Sequence, residues 1–253
     1  MIIKNEIWAF IPARSGSKSI KNKNIKKFFG KPLIYYTFKI LFHIENIKKI
    51  VFSTDSSNYI KIAKKFGIKF EPHIRSKKTS TDLATDLEVF QEFIKKEKKK
   101  GTNLPEFFLH LRPTTPYRRP EVVNKAIQKF LKVKNNYTAM RSISKLSNTG
   151  FRTLILKNKT LVSMCDNNKN MDKLNIARQN FPDTFMANGY VDIIKTKTLE
   201  QNKIHGNKVY GLLTKDLNSD IDTLEDFDNF EKILKNNEHF QNYFLHCGNR
   251  NKS

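Results

Sequence analysis

Short apolar runs and longer amphipathic segments alternate along the first half of the chain. Runs rich in β-branched and aromatic residues predict short strands, at residues 7–11, 50–53, 68–70 and 107–111. Apolar residues at helical spacing predict helices between them, at residues 32–41, 57–66, 82–99 and 120–133. This repetition indicates parallel pairing, so the pattern predicts an α/β sheet that binds its ligands beyond the carboxyl ends of the strands.

The alternation is interrupted over residues 137–186. Lys-Asn-Lys at residues 157–159 is typical of a hairpin turn, and it separates apolar runs at residues 154–156 and 161–164. We interpret this part of the chain as an inserted arm that serves dimerisation.

Regular elements resume after the arm, with strands predicted at residues 191–194 and 209–213 and a helix at residues 224–234. The pattern therefore predicts one domain over residues 1–235 that contains the arm. The remaining residues, 236–253, are predicted to form a polar tail that frays.

Composition limits the class of protein. The chain has 253 residues, enough for one sizeable core. Its two cysteines, Cys165 and Cys247, lack metal-ligand spacing, which disfavours both a disulfide framework and a zinc site. No apolar run approaches the roughly 18 residues of a membrane span, and the N-terminus lacks the pattern of a signal peptide. We expect a cytoplasmic protein with no membrane partner.

The formal net charge of +23 suits a nucleic-acid-binding protein. The lysines are scattered, however, and the one dense run, residues 95–100, follows the polar face of a predicted helix, as in a solvated helix end. The sequence contains no zinc-finger, helix-turn-helix or RNA-binding aromatic motif. Nucleic acid is therefore not expected as a partner.

A cationic loop follows the first predicted strand. Residues 8–24 read WAFIPARSGSKSIKNKN, in which Pro12 ends the strand and Gly16 lets the backbone approach a ligand closely. Its basic side chains and exposed amides suit a polyphosphate. A solvated charged turn has much the same composition, so the loop alone leaves both interpretations open. The absence of a GxxxxGK[ST] pattern disfavours a P-loop ATPase.

An acidic segment, SDIDTLED at residues 219–226, precedes the late helix. It suits helix capping, with two choices each for the N-cap and for the third helical residue: Asp222 or Thr223, and Glu225 or Asp226. Capping does not explain Asp220. In an extended segment Asp220 and Asp222 share a face and offer hard oxygen ligands to Mg²⁺.

The two clusters together supply what nucleotidyl transfer needs. A metal ion held by carboxylates neutralises charge on phosphate oxygens, and a cationic loop positions the β- and γ-phosphates as a leaving pyrophosphate. A metal-dependent glycosyltransferase also uses an aspartate pair, but that activity does not explain the early lysine loop.

Six blocks of the sequence resemble, in order, those of the CMP-sialic acid synthetases, or acylneuraminate cytidylyltransferases. The family hallmark IPARGGSKGIPxKN is matched by IPARSGSKSIKNKN at residues 11–24. The other blocks read FGKPLIYYTF, VFSTD, LRPTTPYR, ARQNFPDTFMANG and DIDTLEDF.

The resemblance implies a Rossmann-like three-layer sandwich of the nucleotide-diphospho-sugar transferase type, with a mostly parallel sheet and a small dimerisation arm. It also implies a homodimer and Mg²⁺-dependent transfer of CMP from CTP to the anomeric hydroxyl of an acidic nonulosonic (sialic-acid-like) sugar. A Kdo-type cytidylyltransferase is an alternative, as is a basic nucleotide- or nucleic-acid-binding protein without catalysis.

The matching blocks also imply roles for individual residues. Catalysis is assigned to Lys18, Lys23, Asp220 and Asp222. CTP binding is assigned to Arg14, Ser17, Lys18, Lys23, Asn24, Arg75, Ala84 and Thr85. Mg²⁺ is assigned to Asp220 and Asp222, and sugar binding to Arg112, Arg178, Asn188 and Asp192. We expect His110, inside a predicted buried strand, to pack rather than to act as a base.

Two positions depart from the family pattern where the sugar is expected to bind. Arg112 stands in place of Gln, and Asp192 in place of Tyr. A guanidinium binds a carboxylate through two donors, and a carboxylate accepts from hydroxyls or an amine. We therefore expect an acceptor other than, or in addition to, N-acetylneuraminate, such as legionaminic acid. Sequence drift is the alternative explanation.

Overall fold

The computed structural model describes residues 1–165, 171–215 and 220–246, with all side chains except those of Lys173, Arg178, Leu245 and His246. In these residues the strands are β1 Ile2–Pro12, β2 Lys27–Phe28, β3 Lys31–Pro32, β4 Ile47–Thr54, β5 Glu71–Ile74, β6 Leu104–His110, β7 Ala139–Lys145, β8 Leu154–Lys157, β9 Thr160–Ser163, β10 Phe185–Lys195 and β11 Val209–Leu213. The helices are α1 Leu33–Ile40, α2 Ser57–Lys64, α3 Asp86–Lys99, α4 Pro120–Val133, α5 Thr196–Glu200, α6 Leu224–Lys235 and α7 Glu238–Phe240, and the last is followed by a π-helical turn, Gln241–His246.

Seven of these strands form a central sheet in the order β11-β7-β10-β6-β1-β4-β5. Neighbouring strands are parallel except β10, which runs antiparallel to both β6 and β7. The mostly parallel sheet confirms the prediction. It also brings the carboxyl ends of β1, β4 and β6 to one edge, where ligands of such sheets bind.

Helices cover both faces of the sheet. From β1, Ile7, Ala9 and Ile11 enter a core shared with α1, α4 and α6. The alternate residues Trp8 and Phe10 enter a second core shared with α3 and α5. All five side chains are at most 2% exposed. A strand buried on both faces is expected to be a continuous apolar run, as this one is, and the three-layer sandwich is confirmed.

Most predicted elements lie near their predicted positions, and α4 and β11 have the predicted bounds. The strand predicted at residues 68–70 is wrong, because β5 lies at Glu71–Ile74 and pairs with β4. Ile68 and Phe70 are half-buried and pack against the core before the strand begins. Their apolar character reflects this packing and not a strand.

The arm predicted over residues 137–186 is too long at both ends. Strand β7 lies within the central sheet, between β10 and β11, and Phe185 at the start of β10 pairs with Lys145. Of the described residues, 146–165 and 171–184 therefore lie outside the central sheet.

The hairpin predicted inside the arm is confirmed. Strands β8 and β9 pair antiparallel from Leu154 with Ser163 to Lys157 with Thr160. The intervening Asn158 and Lys159 have positive φ values of 48° and 66°. Left-handed backbone at both central positions is typical of the type I′ turn, whose twist suits a two-residue hairpin.

The prediction of a polar tail that frays from residue 236 is wrong as far as Phe244. Phe240 is 0% and Phe244 4% exposed. Their rings pack against Tyr36 of α1, with centroids 5.7 Å and 5.3 Å from its ring. This aromatic contact makes the segment part of the domain. Residues 247–253, including Cys247, lie outside the described residues.

None of the helices in the described ranges has both the length and the apolar character that crossing a bilayer requires. Cys165 is exposed and is a free cysteine.

Candidate active site

Three polar segments meet at the carboxyl edge of the sheet. They are the loop after β1 at residues 13–24, the loop after β6 at residues 111–118, and the acidic segment at residues 220–223. The backbone N–H of Ile221 donates to the carbonyl oxygen of Thr114 at 2.8 Å. This bond ties the acidic segment to the loop after β6.

A cleft of about 180 Å³ lies where these segments meet. It is lined by Pro12, Arg14, Ser17, Lys23, Asn24, Arg75, Ala84, Asp86, Val89, Arg112, Pro113 and Thr114. Most residues to which CTP binding was assigned therefore line one cleft, together with Arg112 from the sugar set. Lys18 and Thr85 are not among the lining residues.

The cationic loop after β1 is held in shape from two sides. Asp55, at the end of the VFSTD block, accepts from the backbone N–H of Ser15 at 2.7 Å and from its hydroxyl at 2.8 Å. Asn24 donates from Nδ2 to the carbonyl oxygen of Arg14 at 2.9 Å. Gly16 has no left-handed φ, and an added Cβ would meet Arg14 only at an ordinary 3.8 Å. The fold itself therefore does not require glycine there.

Arg14 and Lys18 share one carboxylate, that of Asp82. Arg14 forms an ion pair with Asp82, and the Lys18 ammonium lies 2.9 Å from it. Hydrogen bonds from Lys18 and Arg14 hold the pKa of the Asp82 carboxyl below its usual range. The Lys18 side chain is nevertheless 84% exposed, so its ammonium is accessible to a second anion.

Lys23 joins the basic loop to the acidic segment. Its side chain is 9% exposed, and its ammonium donates to the carbonyl oxygen of Ile221 at 2.7 Å and to Asp222 Oδ1 at 2.9 Å. Lys23 and Asp222 are 199 positions apart in the sequence. The two predicted clusters therefore belong to one site.

The helix cap leaves both predicted metal ligands unused. Of the open choices, Thr223 is the N-cap of α6 and Asp226 is the third residue of the capping box. The Asp226 carboxylate accepts from the backbone N–H groups of Asp222 and Thr223. Asp220 and Asp222 are exposed on either side of buried Ile221. The capping role considered for the Asp222 side chain is therefore wrong.

The aspartate pair fits a magnesium ion that is shared with a phosphate ligand. No group of three or more histidine, cysteine, aspartate or glutamate side chains in the described ranges has the arrangement of a metal site. Mg²⁺ is commonly bound by one or two carboxylates while substrate phosphates and water complete the shell. Two exposed carboxylates beside the cationic loop after β1 meet that requirement.

Arg112 is held between two carboxylates. Its guanidinium donates to Asp86 Oδ2 at 2.8 Å and 3.1 Å, and to Asp192 Oδ2 at 3.1 Å. Burial raises the pKa of the Asp86 carboxyl, but the charge and hydrogen bonds of Arg112 and the charge of Arg75 outweigh it, so that the pKa is lowered. Asp86 was not assigned to the site from the sequence; its place in the first turn of the long helix, next to the Ala84-Thr85 stretch, was the available signal.

The structure does not bring Asp192 to the cleft surface. Its side chain is 1% exposed, and besides Arg112 it contacts Arg141 at 3.4 Å and His205 at 3.7 Å. Burial raises the pKa of the Asp192 carboxyl, but the nearby His205 and the charges of Arg112 and Arg141 outweigh it and lower the pKa. The predicted contact of Asp192 with sugar hydroxyls is therefore corrected to a contact with Arg112.

Asn188 and Thr85 also have partners within the protein. Asn188 is 7% exposed and donates to the hydroxyls of Ser144 and Thr214, both at 2.7 Å. Thr85 is the N-cap of α3, in a reciprocal capping box with Glu88. These contacts give both side chains structural roles, and the ligand contacts assigned to them stay predictions.

Two other predictions concern Arg178 and His110. The Arg178 backbone lies in a 3-10 turn, but its side chain is outside the described part of the chain, so its contact with the sugar carboxylate stays a prediction. His110 is 1% exposed, and burial lowers its pKa to about 3. It is a neutral packed residue, as predicted.

Sequence reasoning missed Arg118, a buried cation behind the cleft. Its side chain is among the largest that are fully buried, and it donates to four backbone carbonyl groups: those of Arg112, Thr115, Gly189 and Tyr190. Burial lowers the pKa of Arg118 to about 10, so it stays charged at neutral pH. These bonds connect the loop after β6 to Gly189 and Tyr190 of β10. The position of Arg118 at the end of the LRPTTPYR block was the available signal.

The sheet is mostly parallel, and a cationic loop and a carboxylate pair lie at its carboxyl edge. That edge is where α/β proteins bind nucleotides and other ligands. In overall fold the chain resembles a solved CMP:2-keto-3-deoxy-manno-octonic acid synthetase, with a TM-score of 0.64 and 12% identity. The alignment covers 91% of this chain and 98% of that one. At this identity the likeness shows the fold, and it confirms the predicted fold class.

A family model described as Cytidylyltransferase matches residues 8–245, and the chain belongs to that family. The chain is 35% identical to an N-acylneuraminate cytidylyltransferase from Escherichia coli over 51% of its length, and 33% identical to a CMP-N,N'-diacetyllegionaminic acid synthase from Legionella pneumophila over 48%. These matches span 29% and 52% of the two relatives. The resemblance identified from the sequence is confirmed.

Proposed function

We propose that the protein transfers CMP from CTP to the anomeric hydroxyl of an acidic nonulosonic sugar and releases pyrophosphate. The observation that carries the proposal is the 2.9 Å contact between Lys23 Nζ and Asp222 Oδ1, which makes one site of the cationic loop and the aspartate pair. Family membership and the names of both relatives support the same reaction class.

The cleft offers cations along the path of a triphosphate. In the proposed reaction the anomeric oxygen forms a bond to the α-phosphorus, and the bond from that phosphorus to the bridging oxygen breaks. Its electron pair leaves with pyrophosphate. Arg14, Lys18 and Lys23 neutralise the charge that builds on this leaving group and orient it opposite the attacking oxygen.

Asp220 and Asp222 would hold Mg²⁺. When bound there, the ion would neutralise phosphate charge and lower the pKa of the attacking hydroxyl. The proton lost from that hydroxyl passes to water in this proposal. A dedicated histidine base is not required, and His110, with its pKa near 3 and no exposed nitrogen, does not suit that role.

Arg112 is the proposed partner of the sugar carboxylate. Asp86 and Asp192 use part of its N–H donors and fix the plane of the guanidinium, while its side chain remains 23% exposed in the cleft. Arg178 is proposed as a second cation for the same group. We keep legionaminic acid as the proposed acceptor, because the residues at the two positions that depart from the family, Arg112 and Asp192, contact each other at 3.1 Å.

A coupled assay of pyrophosphate release tests the proposal. Purified protein receives CTP, UTP, ATP or GTP in combination with N-acetylneuraminate, legionaminic acid or Kdo. We expect turnover with CTP and a nonulosonic acid, with legionaminic acid preferred. Turnover of Kdo alone would favour the Kdo-type alternative. No release with any pair would contradict catalysis, and exclusive use of N-acetylneuraminate would contradict the proposed acceptor.

We propose a homodimer formed through the arm. The hairpin of β8 and β9 exposes apolar side chains: Leu154 at 40%, Leu156 at 68%, Leu161 at 47% and Met164 at 61%. Contiguous exposed apolar surface is typical of an interaction site. Sedimentation of the full chain is expected to show a dimer that Leu156→Lys converts to a monomer. A monomeric unmutated protein at micromolar concentration would contradict the proposal.

A further inference from the structure

A series of hydrogen-bonded polar side chains leads from the protein interior to Arg75 in the cleft. Ser53 lies in the buried part of β4, and the parallel register of β4 and β5 places it opposite His73. Ser53 Oγ lies 3.0 Å from His73 Nδ1, and Arg75 Nε donates to the same Ser53 oxygen at 2.9 Å. Ser53 and His73 are 0% and 4% exposed.

The chemistry of the three groups decides which group donates and which accepts in each hydrogen bond. Arginine has N–H donors only, so Ser53 Oγ accepts from Arg75. Burial lowers the pKa of His73 to about 4, so the imidazole is neutral at physiological pH. A neutral ring whose Nδ1 accepts the Ser53 proton carries its own proton on Nε2. That nitrogen lies 3.7 Å from Glu92 Oε1, where a carboxylate favours a proton.

Glu92 fixes the loop that follows Arg75. Its carboxylate accepts from the N–H of Ser76 at 2.9 Å, from the Ser76 hydroxyl at 2.9 Å, and from the Thr79 hydroxyl. Burial raises the pKa of the Glu92 carboxyl, but hydrogen bonds from Lys96, Thr79 and Ser76 outweigh it and lower the pKa to about 2. The carboxylate is therefore charged when the site operates.

The orientation of Arg75 depends on few contacts. Besides Ser53, its guanidinium donates to the carbonyl oxygen of Thr79, at a long 3.4 Å. Burial lowers the pKa of Arg75 to about 10, so the guanidinium enters the cleft as a cation. Without the Ser53 oxygen in place, the shorter of these two contacts would be lost.

We propose that His73 is a positioning residue of the nucleotide site. By accepting the hydroxyl proton of Ser53, it leaves a lone pair of the Ser53 oxygen directed at Arg75 Nε, and this contact fixes the guanidinium in the cleft. Arg75 then presents a preset donor to the acceptor atoms of a pyrimidine ring. This role rests on the proposed function, because it presumes that the cleft binds CTP.

Calorimetric titration of CTP into three full-length variants tests the role. His73→Phe keeps the ring volume but removes the acceptor, and we expect CTP to bind about tenfold more weakly. His73→Asn places an acceptor oxygen near the position of Nδ1, and we expect affinity within about threefold of the unmutated protein. Thr196→Val removes another buried hydroxyl, one that donates to the Pro105 carbonyl oxygen away from the cleft, and should not change affinity.

A double-mutant cycle separates positioning from general destabilisation. In an Arg75→Ala background, His73→Phe is expected to weaken CTP binding no further, because the side chain that it positions is absent. A tenfold loss that persists in that background, or no loss in the single variant, would overturn the role of His73. If the unmutated protein failed to bind CTP, the proposed function would be overturned, and this role with it.

Discussion

Replacing Asp222 by Asn is expected to lower turnover about 10²- to 10³-fold at saturating CTP, with little effect on stability. The Asp222 side chain is 70% exposed, and the cap of α6 is made by Thr223 and Asp226 without it. The amide oxygen of asparagine can still accept from Lys23, so folding does not depend on the charge of this group. Asp220→Asn should behave alike, since both carboxylates are proposed to hold one ion. Pyrophosphate release across a Mg²⁺ titration is the measurement.

Glu225→Gln is the matched control for these variants. Glu225 is an exposed carboxylate in the same segment, and it is not the capping-box residue of α6. We expect near-normal turnover from it, and unfolding temperatures within about 2 °C for all three variants. If Asp220→Asn kept nearly full turnover at saturating Mg²⁺, the assignment of the metal to this pair would be wrong.

Arg118→Met is expected to lower the free energy of unfolding by about 3–5 kcal/mol. The change leaves buried carbonyl groups of the loop after β6 and of β10 without a donor, in a place that water does not reach. Denaturant unfolding measures the effect. Because the same carbonyl groups shape the cleft, CTP binding should weaken in whatever protein still folds.

The neighbouring Arg119 provides the control for this second prediction. Arg119 is half-buried, lies at the N-cap position of α4 and approaches Glu121 at 3.6 Å. Arg119→Met should cost less than about 1 kcal/mol, as is usual for surface ion pairs. Equal losses from both variants would show that Arg118 has no special role in fastening the loop.

The sheet and the two halves of the site were predictable because they depend on local signals. The run at residues 7–11 is apolar at every position, which is what a strand buried on both faces requires. In a parallel sheet every such strand ends at the same edge. The loop at residues 13–24 follows such a strand, and it was joined to the acidic segment by chemistry, because nucleotidyl transfer needs both. Lys23 and Asp222 meet in the fold although they are 199 positions apart.

Other features depend on partners that a sequence pattern does not show. The β7 segment AMRSISK contains polar side chains that are paired only in the fold: the Ser142 hydroxyl accepts from Val191 N–H at 2.9 Å, and Arg141 contacts Asp192. Asp192 was expected to face a ligand, yet its partner Arg112 is 80 positions away. The tail was expected to fray because its polar sequence does not show the contact between Phe240 and the distant Tyr36.

A structure of the protein with CTP and Mg²⁺ is the most direct test that one site joins the loop of residues 13–24 to the aspartate pair. We expect the triphosphate to contact Arg14 and Lys23, with the ion between its oxygens and the carboxylates of Asp220 and Asp222. Nucleotide bound elsewhere on the protein, with this cleft empty, would contradict the central claim.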